Sequence, residues 1–247
     1  MNLRNRLQRL ASWGCALGFP AALVAFQRPT PECVPHAEHS AVEVELRGDM
    51  RFLTEDEVKS IVRRSAAKDK TINIKLLEEQ LKLQNGVLGA EVFSSLGKVL
   101  YIRIDQRVPL LRLFENGNSR YLDAEGQSIQ PTPHFSARVP VLYGDLRTPA
   151  ERTAESDLRL AQVFQSIAAD SVLGRLIDGG RYREGELWLF STFGGELRLG
   201  STDDYERKLN KYKRFYLSYP NADTQQHLTR LDLRFQGQIV ARTTTHP

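Results

Sequence analysis

The chain is poor in the residues that build metal sites and covalent frameworks: its 247 residues include two cysteines, two methionines and five histidines. Cys15 and Cys33 supply neither a disulfide framework nor a cysteine-rich zinc site, and Cys15 lies inside an apolar segment. No phosphate-cradling glycine loop, paired zinc-ligand motif or nucleophile elbow is present. His36, His39, His134, His227 and His246 fall outside any acid or nucleophile motif. A triad assembled in space leaves no such mark, so a periplasmic enzyme stays open as a rival reading. From the residues alone, no catalytic, cofactor-binding or metal-ligating group is expected. There is also no excess of one charge: 34 Lys+Arg stand against 30 Asp+Glu, net +4, spread along the chain. That mixture describes a solvated surface rather than a nucleic-acid binder.

Acids are missing altogether before Glu32, and the first 27 residues read as a targeting element. Arg4, Arg6 and Arg9 precede an uncharged stretch from residue 10 to 26. As a helix it would be about 26 Å long, near the ~30 Å of a hydrocarbon core. The rival is a cleaved signal peptide, whose best cut after Ala25 places bulky Leu23 where a small residue is preferred. A retained anchor at residues 10–27 with the arginines inside predicts a cytoplasmic tail at 1–9 and an extracytoplasmic remainder. "RPTPECVPHAEHS", residues 28–40, is proline-rich and aperiodic, a linker on which Cys33, His36 and His39 make a poor metal site.

From Ala41 the pattern becomes regular. Val42, Val44 and Leu46 alternate into Gly48, which predicts a strand and a turn. Thr54 and Glu57 form a capping box, with Leu53 and Val58 at the staple positions, and Val58, Ile61 and Val62 continue the apolar stripe of a helix. "NIKLLEEQLKLQNG" predicts a second helix, with Asn73 as N-cap, Ile74, Leu77 and Leu81 inward, and Gly86 as stop. Two strands around a turn at residues 95–98 follow, with Leu100, Ile102 and Ile104 on one face. The order over residues 41–108 is β-α-α-β-β.

Residues 109–242 read as a β-rich domain with an antiparallel sheet and two helices, an α+β class. Asn116-Gly117 and Glu125-Gly126 mark turns, "RVPVLYG" is a short strand, and "ELWLFSTFGGELRLGS" is a hairpin around Gly194-Gly195. Helices are expected over residues 153–169 and 202–219. "YERKLNKYKRFY" interleaves basic and aromatic residues as a nucleic-acid patch would, but Tyr205, Leu209, Tyr212 and Tyr216 share one helical stripe, which favours packed aromatics beneath a solvated basic face. "TRLDLRFQGQIVAR", residues 229–242, reads as a last strand in which Leu231, Leu233 and Phe235 alternate with Asp232 and Arg234. Little chain follows to cover it, only a tail at 243–247. From edge physics alone it is an ordinary edge strand guarded by Arg234 and Arg242.

Several stretches together resemble the bacterial cell division proteins FtsQ/DivIB: "VEVELRGDMRFLTEDEV", "LYIRIDQRVPLLRL", "YLDAEG", "VPVLYG", "RKL" and "LDLRF", in order, behind an N-terminal basic-apolar segment. The likeness departs where that family often has Tyr and this chain has Phe235, and it loosens over "QGQIVARTTTHP". The resemblance implies a single-pass inner-membrane protein with a POTRA domain and a β domain, not an enzyme, acting at the division site. It implies a divisome scaffold binding FtsB-like and FtsL-like single-span partners by β-strand addition during septum formation, linking early and late division proteins. Other divisome proteins would meet the POTRA domain. The partner-binding residues it implies are Leu231, Leu233, Arg234, Phe235, Gln238, Val240 and Arg242. The alternative for a POTRA-bearing chain is a component of polypeptide export or outer-membrane protein assembly.

Overall fold

The computed structural model describes residues 33–35, 41–66, 71–95, 99–145, 153–192, 195–218 and 228–243. The anchor expected at residues 10–27 and the tail at 1–9 lie outside the described residues, as does all of the expected C-terminal tail except Thr243. Among the described residues, no helix is long and apolar enough to cross a membrane.

The first unit runs β1 (Cys33–Pro35), β2 (Ala41–Arg47), α1 (Glu55–Ala66), β3 (Thr71–Asn73), α2 (Ile74–Lys82), β4 (Val87–Ser95) and β5 (Val99–Gln106). Local signals set its helices. Glu57 accepts from the Thr54 backbone at 2.8 Å while the Thr54 hydroxyl accepts from the Glu57 backbone at 3.3 Å, the reciprocal pair that opens α1. Asn73 accepts from Leu76 N at 3.0 Å and opens α2. The helix ends at Lys82, four residues before the expected stop, and Gly86 instead takes a φ of +72° directly beneath Phe52. A Cβ there would lie 2.6 Å from Phe52 Cβ, so the glycine serves a close approach rather than a cap.

In the first sheet β5 is central, parallel to β2 and antiparallel to β4. Leu100, Ile102 and Ile104 are fully buried against Val58, Val62, Leu77 and Leu81 of the two helices. The β-α-α-β-β order is thus present, with two additions. β3 precedes α2, and β1, inside the expected linker, pairs with it.

The second unit holds β6 (Leu111–Glu115), β7 (Asn118–Leu122), β8 (Ser128–Ile129), β9 (Val141–Asp145), α3 (Ala154–Ala169), α4 (Leu173–Leu176), β10 (Ile177–Arg183), β11 (Glu186–Ser191), β12 (Glu196–Gly200), α5 (Tyr205–Ser218), β13 (Leu228–Asp232) and β14 (Val240–Thr243). Its sheet has nine strands in the order β14-β13-β12-β11-β10-β9-β6-β7-β8. It is mixed, not antiparallel as expected: β6 with β9, β9 with β10, and β12 with β13 run parallel. For the last two the reason is topological. α3 and α4 lie between β9 and β10, and α5 between β12 and β13; a helical crossover between neighbouring strands returns the chain in the same direction.

α3 and α5 cover one face of this sheet. Leu160, Val163, Phe164 and Ile167 from α3 and Leu209 and Tyr212 from α5 pack with Leu113, Leu142, Leu189, Leu197, Leu231 and Leu233. The stretch expected to form one final strand is two: β13 ends at Asp232, the chain turns through Gly237 at φ +77°, and β14 returns antiparallel. β13 is therefore interior to the sheet, and β14 is its outermost strand.

Candidate functional site

β14 pairs with β13 on one side, and among the described residues no strand pairs with its other side. All four of its residues are exposed. The register sets Arg242 opposite Arg230, Ala241 opposite Leu231 and Val240 opposite Asp232. Because side chains alternate and Leu231 points into the core, Val240 and Arg242 share the helix-free face with Arg230 and Asp232.

That outer face is built around Trp188. It sits between buried Leu187 and Leu189 on β11, so it points away from the helices. Three guanidinium groups lie over its ring: Arg181 at 4.8 Å, Arg198 at 5.0 Å and Arg230 at 4.8 Å. Carboxylates hold the guanidiniums in place. Glu196 bonds Arg181 at 3.1 Å and lies 3.4 Å from Arg230, while Glu186 accepts from Arg198 at 2.7 and 2.8 Å. Cation–π contacts at such exposed sites contribute about 0.5–1 kcal/mol each, enough to make a stiff platform from long side chains.

The connection from β13 to β14 is fixed from both sides. Asp232 accepts from the Arg234 backbone at 3.1 Å and from its guanidinium at 3.0 and 2.9 Å. Burial pushes the Asp232 carboxyl up, but those bonds and the nearby Arg198 outweigh it and leave it below its ordinary value. The same pair raises Arg234, chiefly through the Asp232 hydrogen bond. On the helix side, Lys211 donates to the carbonyls of Leu233 at 2.8 Å, of Phe235, and of Gln238 at 3.0 Å. Burial, and then Arg207, push this ammonium below its ordinary value. Lys208 is buried outright and donates to Ser201 O at 2.8 Å. The α5 stripe of Tyr205, Leu209, Tyr212 and Tyr216 does pack on the core, but its basic face is not wholly solvated.

The residues implied by family likeness therefore separate. Val240 and Arg242 lie on the outermost strand, and Phe235 (44 % exposed) and Gln238 lie in the connection leading into it. Arg234 folds back on Asp232 and Glu186. Leu231 and Leu233 are core residues, 4 % and 0 % exposed, in the same cluster as Leu209 and Tyr212 of α5. Trp188, Arg181, Arg198, Arg230 and Lys211 were not foreseen. The one available signal was Trp188 itself, an aromatic at the outward position of a strand whose alternate residues are leucines. Among the described residues, no group of three or more His, Cys, Asp or Glu is placed to hold a metal ion.

Comparison with known proteins gives this geometry its context. A family model described as FtsQ/DivIB, C-terminal related, matches residues 108–242. A cell division protein FtsQ from Rhodothermus marinus is 33% identical over 159 residues, covering 60% of this chain and 57% of that protein. The chain thus spans a little over half the length of that relative. The major extracytoplasmic domain of the trans isomer of DivIB from Geobacillus stearothermophilus aligns at 15% identity and a TM-score of 0.34, over 47% of this chain and 95% of that one.

Proposed function

Because the chain belongs to the FtsQ/DivIB family, its residues 108–242 matching the family model, we propose that it is a membrane-anchored, non-catalytic scaffold of the division machinery. In this reading residues 10–27 hold it in the inner membrane with the N-terminus in the cytoplasm, and the first unit is a POTRA domain. The outer side of β14 accepts an extended segment of an FtsB-like single-span protein, with an FtsL-like protein in the same complex. So placed, the chain links early and late division proteins as the septum forms.

The observation that carries this reading is the free edge at β14, a strand whose residues are all exposed and whose outward backbone groups have no strand beside them among the described residues. An added strand gains its main-chain hydrogen bonds there, while its alternate side chains read the surface beside it. Val240 and Arg242 supply that surface first, with Phe235 and Gln238 at the mouth of the connection. Arg181, Arg198, Arg230, Arg234 and Arg242 face Glu186, Glu196 and Asp232 on this side, so the balance favours an acidic partner segment. Leu231 and Leu233 act from beneath, anchoring the strand to which β14 is paired.

Proline placed in turn at each position of β14 tests the reading, since it removes one backbone donor at a time. The assay is capture of the purified extracytoplasmic segment of the FtsB-like protein from the same cell by the full chain. Variants whose missing donor faces outward should keep the wild-type melting temperature and lose capture by tenfold or more. If every folded variant still captures the segment, strand addition at β14 is wrong.

A further inference from the structure

β14 has little of its own to hold it in place. It is four residues long, fully exposed, and joined to β13 by residues 233–239, a connection longer than the two-residue turns that fix hairpin register. A short two-stranded hairpin is marginal in water, and this one adds an outermost strand to a core that ends beneath β13. Yet the connection is held, by the Asp232–Arg234 bonds at its start and by three further contacts that converge on one atom.

Lys211 Nζ donates to Leu233 O, Phe235 O and Gln238 O, carbonyls at the start, the middle and the end of the connection. An ammonium has three hydrogens, and here each has an acceptor. Leu233 still donates its N–H to Arg198 O of β12, but all three carbonyls lie beyond Asp232, the last paired residue of β13, and the lysine takes the place of strand donors. α5, in turn, is fixed to the core by Leu209 and Tyr212 on either side of Lys211. The rigid helix thus reaches past the last interior strand to grip the loop that sets where β14 lies.

We propose that Lys211 is a positioning residue that holds β14 in place as the outermost strand of the sheet, and so sets the geometry of the edge that a partner strand would join. The consequence for partner binding rests on the reading of β14 given above; the positioning itself does not. Arginine is the substitution that tests the chemistry, because it keeps a cation and several donors at similar reach. Methionine keeps the apolar stem and removes every donor.

Amide hydrogen exchange in the full chain is measured first. Lys211→Met should speed exchange over residues 233–243 by at least tenfold while β10 to β12 keep their protection. Lys211→Arg should restore protection to within about threefold of wild type. The unsubstituted chain supplies a second measurement in case the methionine variant fails to fold. An ammonium held by three carbonyls exchanges its hydrogens slowly, so Lys211 should give a side-chain proton–nitrogen correlation that exposed Lys82 does not. Unchanged exchange in Lys211→Met, or no such correlation from Lys211, overturns the proposal. Capture of the partner segment then separates the two ideas. Faster exchange with capture lost, and both restored by arginine, supports the positioning role and the edge together. Faster exchange with capture unchanged supports the positioning role and overturns strand addition at β14.

Discussion

The nine-stranded sheet has two ends, and the chain treats them in opposite ways. At one end β8 is two residues long, and Ile129 is fully buried under Phe52 and Tyr121. Phe52 comes from the first unit and meets Tyr121 and Phe135 edge-on, with ring centroids 5.6 and 5.0 Å apart. Beside them the Asn85 amide donates to Gln130 O at 2.9 Å and accepts from Gln130 N at 2.7 Å. A side-chain amide thus makes the pair of bonds that a neighbouring strand would make. At the other end β14 has all four residues in solvent and no such cover among the described residues. Exposed edges template pairing with other chains and are usually blunted or covered. A chain that closes one edge with aromatic packing and a backbone mimic has the means to close an edge, and the bare edge opposite is where a partner has room.

The largest effect is expected at the closed end. Phe52 is 2 % exposed and touches both units, so Phe52→Ala should lose about 3–5 kcal/mol of stability in denaturant unfolding. If the two ends are independent, exchange should rise at Ser128–Ile129 while capture of the partner segment at β14 persists. Loss of capture in a variant that is still folded would show that the ends are coupled, and the comparison would have to be withdrawn.

A smaller effect should follow at the same end from Asn85→Ala. It removes both bonds to Gln130, for a loss of about 1 kcal/mol, and leaves a second edge unblunted. The informative readout is the oligomeric state by sedimentation. Self-association of the variant would support the view that Asn85 closes this edge, and a strictly unchanged state at high concentration would count against it.

How much of this was legible in the sequence follows the range of the interaction. Thr54 with Glu57, Asn73, and Asn116-Gly117 in its left-handed turn act within a few residues, and each lies where its type predicts. β10 escaped notice because "IDGGRYR" has two glycines where a strand usually has branched residues. A Cβ at Gly179 would sit 2.3 Å from Val141 O, and one at Gly180 2.3 Å from Trp188 O, so close backbone neighbours exclude the side chains that mark a strand. The β9–β10 and β12–β13 pairings were hidden because they depend on where a helix returns the chain, and the β6–β9 pairing because it depends on where the chain comes back after β7 and β8. In the candidate site, the alternation that identified the last strand also implied that Leu231 and Leu233 face the core; the outward set is the polar one between them and the exposed residues of β14. Lys211 could not be read at all, since its acceptors are backbone carbonyls 22 to 27 positions away that carry no mark of residue type.

The smallest effect lies at the open end, in Asp232, opposite Val240. Its side chain is 14 % exposed and is bonded by Arg234, which keeps the folded carboxyl more acidic than in the unfolded chain, where such a group titrates near 3.9. A depressed folded value means that the contribution is complete above the unfolded value and disappears as pH falls through the folded one. Asp232→Asn should therefore cost no more than about 1 kcal/mol at neutral pH, and the gap between variant and wild type should close below about pH 4. The closed end supplies the control, because the Phe52 cluster contains no carboxylate and the deficit of Phe52→Ala should persist into the same acid range. Urea midpoints for the three proteins across that range make the measurement. A wild-type advantage over Asp232→Asn that is just as large in acid would mean that the Arg234 pair does not secure this end of the sheet.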